Sequence, residues 1–134
     1  MKAAWALLGI LILSGCATLP RVACPAGEKS MLTVQMFFGR NIGGKPGVSD
    51  ADFRAFSDEE LTPRFPDGLT VLDGGGQWKG VDTTLIREAS KVVMVVTTPS
   101  RDLMRRIEAV RASYVTRFHQ DSVMVVTQQA CVGF

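Results

Sequence analysis

Arginine, carboxylate and aromatic side chains recur through the middle of this chain in a combination that could bind an anionic, partly apolar small molecule. The residues concerned are Arg40, Asp50, Gln77, Trp78, Arg87, Glu88 and Tyr114, with His119 and Gln120 following Tyr114 closely enough to join them. Arginine pairs with carboxylate or phosphate through two parallel hydrogen bonds, and an indole supplies a stacking face. Glu88 beside Arg40 also allows acid–base chemistry where burial lifts the carboxyl toward neutrality. The plainer reading is structural: Arg40 or Arg87 pairs with Asp50 or Glu88, and Trp78 plugs the edge of the core. No residue is assigned as catalytic.

Several other chemistries are disfavoured. One histidine, with neither Cys-x-x-Cys nor His-x-x-x-His, argues against a transition-metal site, so no metal and no cofactor is expected. His119 reads as the end of a loop. Gly74-Gly75-Gly76-Gln77-Trp78-Lys79 lacks the spacing of a P-loop or a dinucleotide fingerprint and reads as backbone geometry. No serine stands in a Gly-x-Ser-x-Gly elbow, and covalent catalysis is disfavoured.

The beginning of the chain is a processing signal rather than fold. Met1-Lys2 precedes an apolar run from Ala3 to Leu13, then Leu13-Ser14-Gly15-Cys16. A spanning helix needs about 20 apolar residues, so this run is too short to cross a membrane. Leu-Ser-Gly-Cys at this position resembles the lipobox of bacterial lipoproteins. That resemblance implies a signal over residues 1–15 and a diacylglyceryl-modified, N-acylated Cys16 as the first mature residue. The alternatives are an ordinary cleaved signal or an uncleaved anchor. Ala17 is not the aspartate that retains lipoproteins at the inner membrane, which favours a periplasm-facing outer-membrane location. With Cys16 lipidated, Cys24 and Cys131 remain as an even pair in an oxidising compartment, where a disulfide is expected over two free thiols.

Loss of the signal from 134 residues leaves about 119, one ordinary domain. Hydrophobic residues at 46% and charged ones at 21% suit a globular core, and a net charge of +2 offers no field to attract nucleic acid.

Residues 16–28 carry prolines and small residues without period and read as a tether. The domain, 29–134, opens with a strand over Lys29–Arg40 whose two faces both carry apolar residues. A glycine-rich loop follows, then a helix capped by Ser49, with Asp50 and Asp52 in its first turn and Val48 stapling to Phe53. Phe53, Phe56 and Leu61 form its stripe, and Pro63 and Pro66 end it. Strand two covers Leu69–Leu72, is interrupted by a bulge or bend at Asp73–Gly76, and resumes at Gln77-Trp78. Arg64 and Asp67, in the turn before it, read as turn-fixing residues. Strand three spans about Leu85–Thr98. A second helix, capped by Ser100, carries Leu103, Ile107, Val110, Tyr114 and Phe118 on one face and Arg105, Arg106, Arg111 and Arg117 mostly on a solvated one. Strand four runs from Ser122 to about Val132.

This order predicts an α+β domain of ferredoxin-like βαββαβ type, with two helices on one face of an antiparallel sheet. It gathers the candidate residues at one end of the sheet. At the other end it brings Cys131 near the segment after Cys24. The segments FFGR, VSDADFRAF, TPRFPDGLTV, GQW, REASKVVMV and YVTRF…QDSV are similar to a family of small bacterial envelope proteins catalogued as a domain of unknown function. The family implies no activity and no catalytic residue. Function is therefore expected to be a non-enzymatic binding or interaction domain, anchored to the membrane by its lipid. A homodimer or another envelope protein would cover the free sheet face. The alternative is a small cofactor-free enzyme or ligand-binding domain with a cavity near Arg40, Trp78 and Glu88.

Overall fold

The computed structural model describes residues 23–134. The lipobox and Cys16 lie outside the described residues. Strand β1 (Lys29–Gly39) alternates as its sequence predicts: Val34, Met36 and Phe38 are fully buried on one face, while Thr33, Gln35 and Phe37 are only partly covered on the other. The loop after it is a short hairpin of β2 (Asn41–Ile42) and β3 (Lys45–Pro46), turning through Gly43 and Gly44 at φ of 58° and 78°. Only glycine holds that left-handed conformation without steric cost.

Helix α1 (Asp50–Phe56) starts with a reciprocal capping box, in which the Asp52 N–H donates to Ser49 Oγ and the Ser49 N–H donates to Asp52 Oδ2. It changes pitch earlier than its stripe suggests, because Ser57–Leu61 forms a π-turn closed by Thr62 N–H on Ser57 O. Five residues at about 100° each would set Leu61 on a different face from Phe56. The wider π-turn brings Leu61 round, and both side chains are fully buried.

Strand β4 (Thr70–Lys79) corrects the expected interruption. It pairs with β5 (Leu85–Thr97) in one unbroken register from Thr70 opposite Met94 to Lys79 opposite Leu85, so Gly74–Gly76 form neither bulge nor bend. Helix α2 (Leu103–Phe118) buries the five predicted stripe residues, but its cap is Asp102 rather than Ser100. The Asp102 carboxylate makes no capping bond and pairs instead with Arg105 and Arg106. His119 ends the helix in the left-handed conformation, and β6 (Met124–Val132) closes the chain.

The sheet order is β4-β5-β1-β6, antiparallel throughout, with β1 and β5 central. This mixed α+β architecture is consistent with the ferredoxin-like arrangement, in which each of two split βαβ units encloses a strand of the other. Between helices and sheet lies an aromatic centre of Phe38, Phe53, Phe56, Tyr114 and Phe118, mostly edge-on at centroid distances of 4.7–6.2 Å. Cys24 and Cys131 are disulfide-bonded across a separation of 107 residues. Among the described residues, no helix is long and apolar enough to cross a membrane.

The outer face of the sheet is different in kind. Alternation from the buried positions places Thr33, Gln35 and Phe37 of β1, Val92, Met94 and Val96 of β5, Leu72 of β4 and Met124 and Val126 of β6 on the side away from the helices. Leu72 is 51% exposed and Met124 57%. None of these residues carries a charge.

Candidate functional site

The nine residues singled out in the sequence fall into two groups and do not enclose one cavity. The first group lies where β1 leaves the sheet. Arg40 donates through Nε to Val48 O at 2.8 Å and pairs with Asp50 at 3.1 Å, so the guanidinium fastens the β2–β3 hairpin to the start of α1. Lys91, absent from the sequence reading, bridges Asp50 at 2.8 Å and Asp73 at 2.5 Å with a side chain only 11% exposed. The hydrogen bond from Lys91, and then the charge of Arg40, hold the Asp50 carboxyl below its ordinary pKa. The hydrogen bonds to Asp50 and then to Asp73 raise that of Lys91.

Beside this hub a polar web fixes the turn out of β1. Glu88 Oε1 accepts the Asn41 N–H at 2.8 Å, Gln120 Nε2 donates to Asn41 O at 2.6 Å, and the Tyr114 hydroxyl donates to Gly39 O at 2.7 Å. A Cβ on Gly39 would stand 2.7 Å from Glu88 Oε1, so a larger residue there would displace the Glu88 carboxylate from its bond to Asn41. Burial pushes the Tyr114 phenol pKa up, which keeps it neutral and donating. His119 takes no part in the web's hydrogen bonds and acts as the helix terminator. Arg40 pairs with Asp50 as the plainer reading allowed, whereas Glu88 pairs with neither Arg40 nor Arg87 and accepts a backbone N–H instead.

The second group lies on the β4–β5 hairpin. Arg87 Nε donates to Gln77 Oε1 at 3.1 Å across the two strands. Trp78, opposite Ile86, is 46% exposed and does not plug the core. A groove of about 460 Å³ runs along this hairpin, lined by Gly74, Gly75, Gly76, Gln77, Arg87, Glu88 and Ala89. It is an open surface groove, in which Gly75, Gln77, Arg87 and Ala89 are all exposed. Arg40, Asp50, Trp78 and Tyr114 do not line it. The sequence reading missed Gly75 and Ala89 as a paired surface, because their apposition depends on an unbroken register that Asp73–Gly76 seemed to forbid.

The four arginines of the second helix are committed. Arg105 and Arg106 share Asp102, Arg111 pairs with Glu108 and Arg117 with Glu59, four arginines on three carboxylates. Arg106 also donates to Arg64 O at 2.7 Å, and Arg64 to Glu60 O at 2.8 Å, so the turn before β4 is tied to both helical segments. Among the described residues no group of three or more histidine, cysteine, aspartate or glutamate side chains could hold a metal.

Solved structures of phage SAM lyase share this fold. A phage SAM lyase in complex with S-methyl-5'-thioadenosine is 17% identical, with 88% of this chain and 97% of that chain covered at a TM-score of 0.60. A phage SAM lyase in its apo state is 18% identical, with the same coverage and a TM-score of 0.58. No curated protein matches the chain. The model of one protein family covers residues 33–134, from the middle of β1 to the last residue. The chain belongs to that family, the protein of unknown function family DUF3574.

Proposed function

We propose that this chain is a lipid-anchored envelope domain that works by association, its open sheet face covered by a second copy of itself. The observation that carries the reading is the apolar centre of the outer face, from which the charges on that face, Lys29 and Glu88, stand apart toward the strand ends. A sheet with helices on one side only leaves its other side wet, and such a side is ordinarily polar. Here Phe37, Leu72, Val92, Met94, Val96, Met124 and Val126 share it. A stable dimer ordinarily buries about 800 Å² per partner, and a twofold pairing of this face would set the apolar residues of both copies against each other. The Cys24–Cys131 disulfide supports an oxidising compartment and so an exported chain. Lipidated Cys16, eight residues before Cys24, would hold the domain within about 30 Å of the outer membrane.

Light scattering of the domain from Ala17 onward tests association. A dimer is expected, with Phe37→Asp or Met94→Asp giving a folded monomer. A wild-type domain that stays monomeric at tens of micromolar would end this reading. Mass spectrometry of the mature N-terminus tests the anchor separately.

A second reading, as a small-molecule-binding or enzymatic domain, is favoured by a different observation. The shared fold extends over 97% of the chain of a lyase that holds a thioadenosine ligand. A chain with so small a framework has few places to put such a ligand, and the hairpin groove is one of them.

A further inference from the structure

Gly75 and Gly76 have no cause inside the chain. Glycine weakens a strand interior, and its usual reasons are a positive φ, a bulge, or a neighbour standing where Cβ would be. Neither residue has a positive φ, and the register has no bulge. A Cβ on Gly75 would meet only Glu88 O at 3.9 Å, and one on Gly76 only Trp78 Cζ3 at 3.8 Å and Glu88 O at 3.9 Å. Gly74 is another matter, since its Cβ would lie 2.9 Å from Ser90 Oγ. The reason left for Gly75 is close approach by something outside the chain, on the face it shares with Ala89, while Gly76 alternates to the opposite face.

The pairing along the hairpin indicates what approaches. On one face the cross-strand pairs run Asp73 with Lys91, Gly75 with Ala89, and Gln77 with Arg87. The middle pair carries a single methyl group between two polar walls. The result is a hollow about 13 Å long whose floor is peptide backbone. At one wall, Arg87 Nε is engaged by Gln77 Oε1, which leaves the Arg87 Nη groups and the Gln77 Nε2 amide without a protein partner among the described residues. Those groups are all donors. A flat floor with donors at one wall suits a planar ring with acceptors on its rim. Arginine is also the side chain that pairs bidentately with the acceptor edge of a purine.

We infer that this hollow binds a planar heteroaromatic small molecule with hydrogen-bond acceptors along one edge, of the purine nucleoside class. The ring rests on Gly75 and Ala89, with its acceptors on Arg87 and Gln77. This inference rests on the second reading above and adds the place and the ligand class.

The test is isothermal titration calorimetry of the full chain in detergent with S-methyl-5'-thioadenosine, adenosine and, as an aromatic anion, benzoate. Wild-type chain is expected to bind a nucleoside more tightly than benzoate. Gly75→Val, which fills the hollow, and Arg87→Met, which removes the donors, should each weaken that binding by about tenfold or more. Near-UV circular dichroism shows whether each variant keeps its fold, and Arg87→Met carries the test if Gly75→Val does not. A wild-type chain that binds neither nucleoside overturns the second reading and this inference together. Nucleoside binding unchanged in both folded variants leaves the second reading standing and overturns the location. Benzoate binding as tightly as the nucleosides overturns the ligand class. A Gly75→Val chain that binds normally but changes oligomeric state in light scattering overturns the inference in favour of a second copy at this strand.

Discussion

Tyr114 joins the apolar and polar halves of this domain in one side chain. Its ring lies 4.7 Å from Phe38 and 4.8 Å from Phe118, and its hydroxyl reaches through the aromatic centre to Gly39 O. Tyr114→Phe keeps the packing and removes the hydrogen bond, so a loss of about 1 kcal/mol is expected at pH 7 in urea unfolding. The pH profile follows from the same group and from Lys91. Both have folded pKa values above their unfolded ones, so what they contribute is complete below about pH 10 and is lost as pH rises through the folded values. Asp50 works at the other end: its folded pKa lies below 3.8, so its contribution is present above that value and is lost as pH falls through the lowered one. Stability is therefore expected to be flat between about pH 5 and pH 9 as far as these three groups decide it, with falls on both sides. Tyr114→Phe should shallow the alkaline fall, because the phenol no longer has to ionise from a buried site. An alkaline limb as steep in the variant as in the wild type would assign the fall to Lys91 alone.

At the scale of the element, β4 makes a prediction that separates three adjacent glycines. Gly75→Ala and Gly76→Ala should each stabilise the domain by about 0.5 kcal/mol, since the added methyl meets ordinary distances and the unfolded chain loses freedom. Gly74→Ala should destabilise it, since the methyl would press on Ser90 Oγ at 2.9 Å and Val92 Cγ2 at 3.2 Å. Thermal melts of the three variants check the ordering. Equal effects in all three would mean that strand propensity alone is being measured. The same strand marks the limit of what the sequence disclosed. Elements with strong period and caps were legible: β1 from its alternation, α1 from Ser49 and Asp52, α2 from its five-residue stripe, and through these the order of the sheet. Strand β4 was not, because three glycines after an aspartate have the local signature of a bulge, and only the ladder against β5 shows that they remain in register. Lys91 was hidden for a related reason. Its partners Asp50 and Asp73 are 41 and 18 residues away, and nothing local in the sequence joins them. The candidate site was legible as a set of residue types, while its division into a structural junction and a hairpin groove depended on that register.

For the whole molecule the decisive covalent feature is the Cys24–Cys131 bond. It joins the segment just ahead of β1 to the second-last residue of β6, so nearly the whole domain lies inside one closed loop of 107 residues. Strand β6 meets the rest of the sheet only through β1, and helix α2 is linked to β6 by the short segment 119–123. Opening the bridge frees the first and last parts of the chain together and restores most of the unfolded chain's freedom. Cys24→Ser with Cys131→Ser is expected to lower the unfolding free energy by about 2–5 kcal/mol in guanidinium titration of the full chain. The bridge pins the ends of β1 and β6 at Ser30 opposite Cys131, and the apolar outer face is centred on Phe37, Val92 and Met94, several residues further along. Association through that face should therefore survive loss of the bridge wherever the domain remains folded. A double variant that is folded at 4 °C but monomeric would show that the bridge shapes the associating surface itself. A double variant as stable as the wild type would show that the core alone closes the sheet without the bridge.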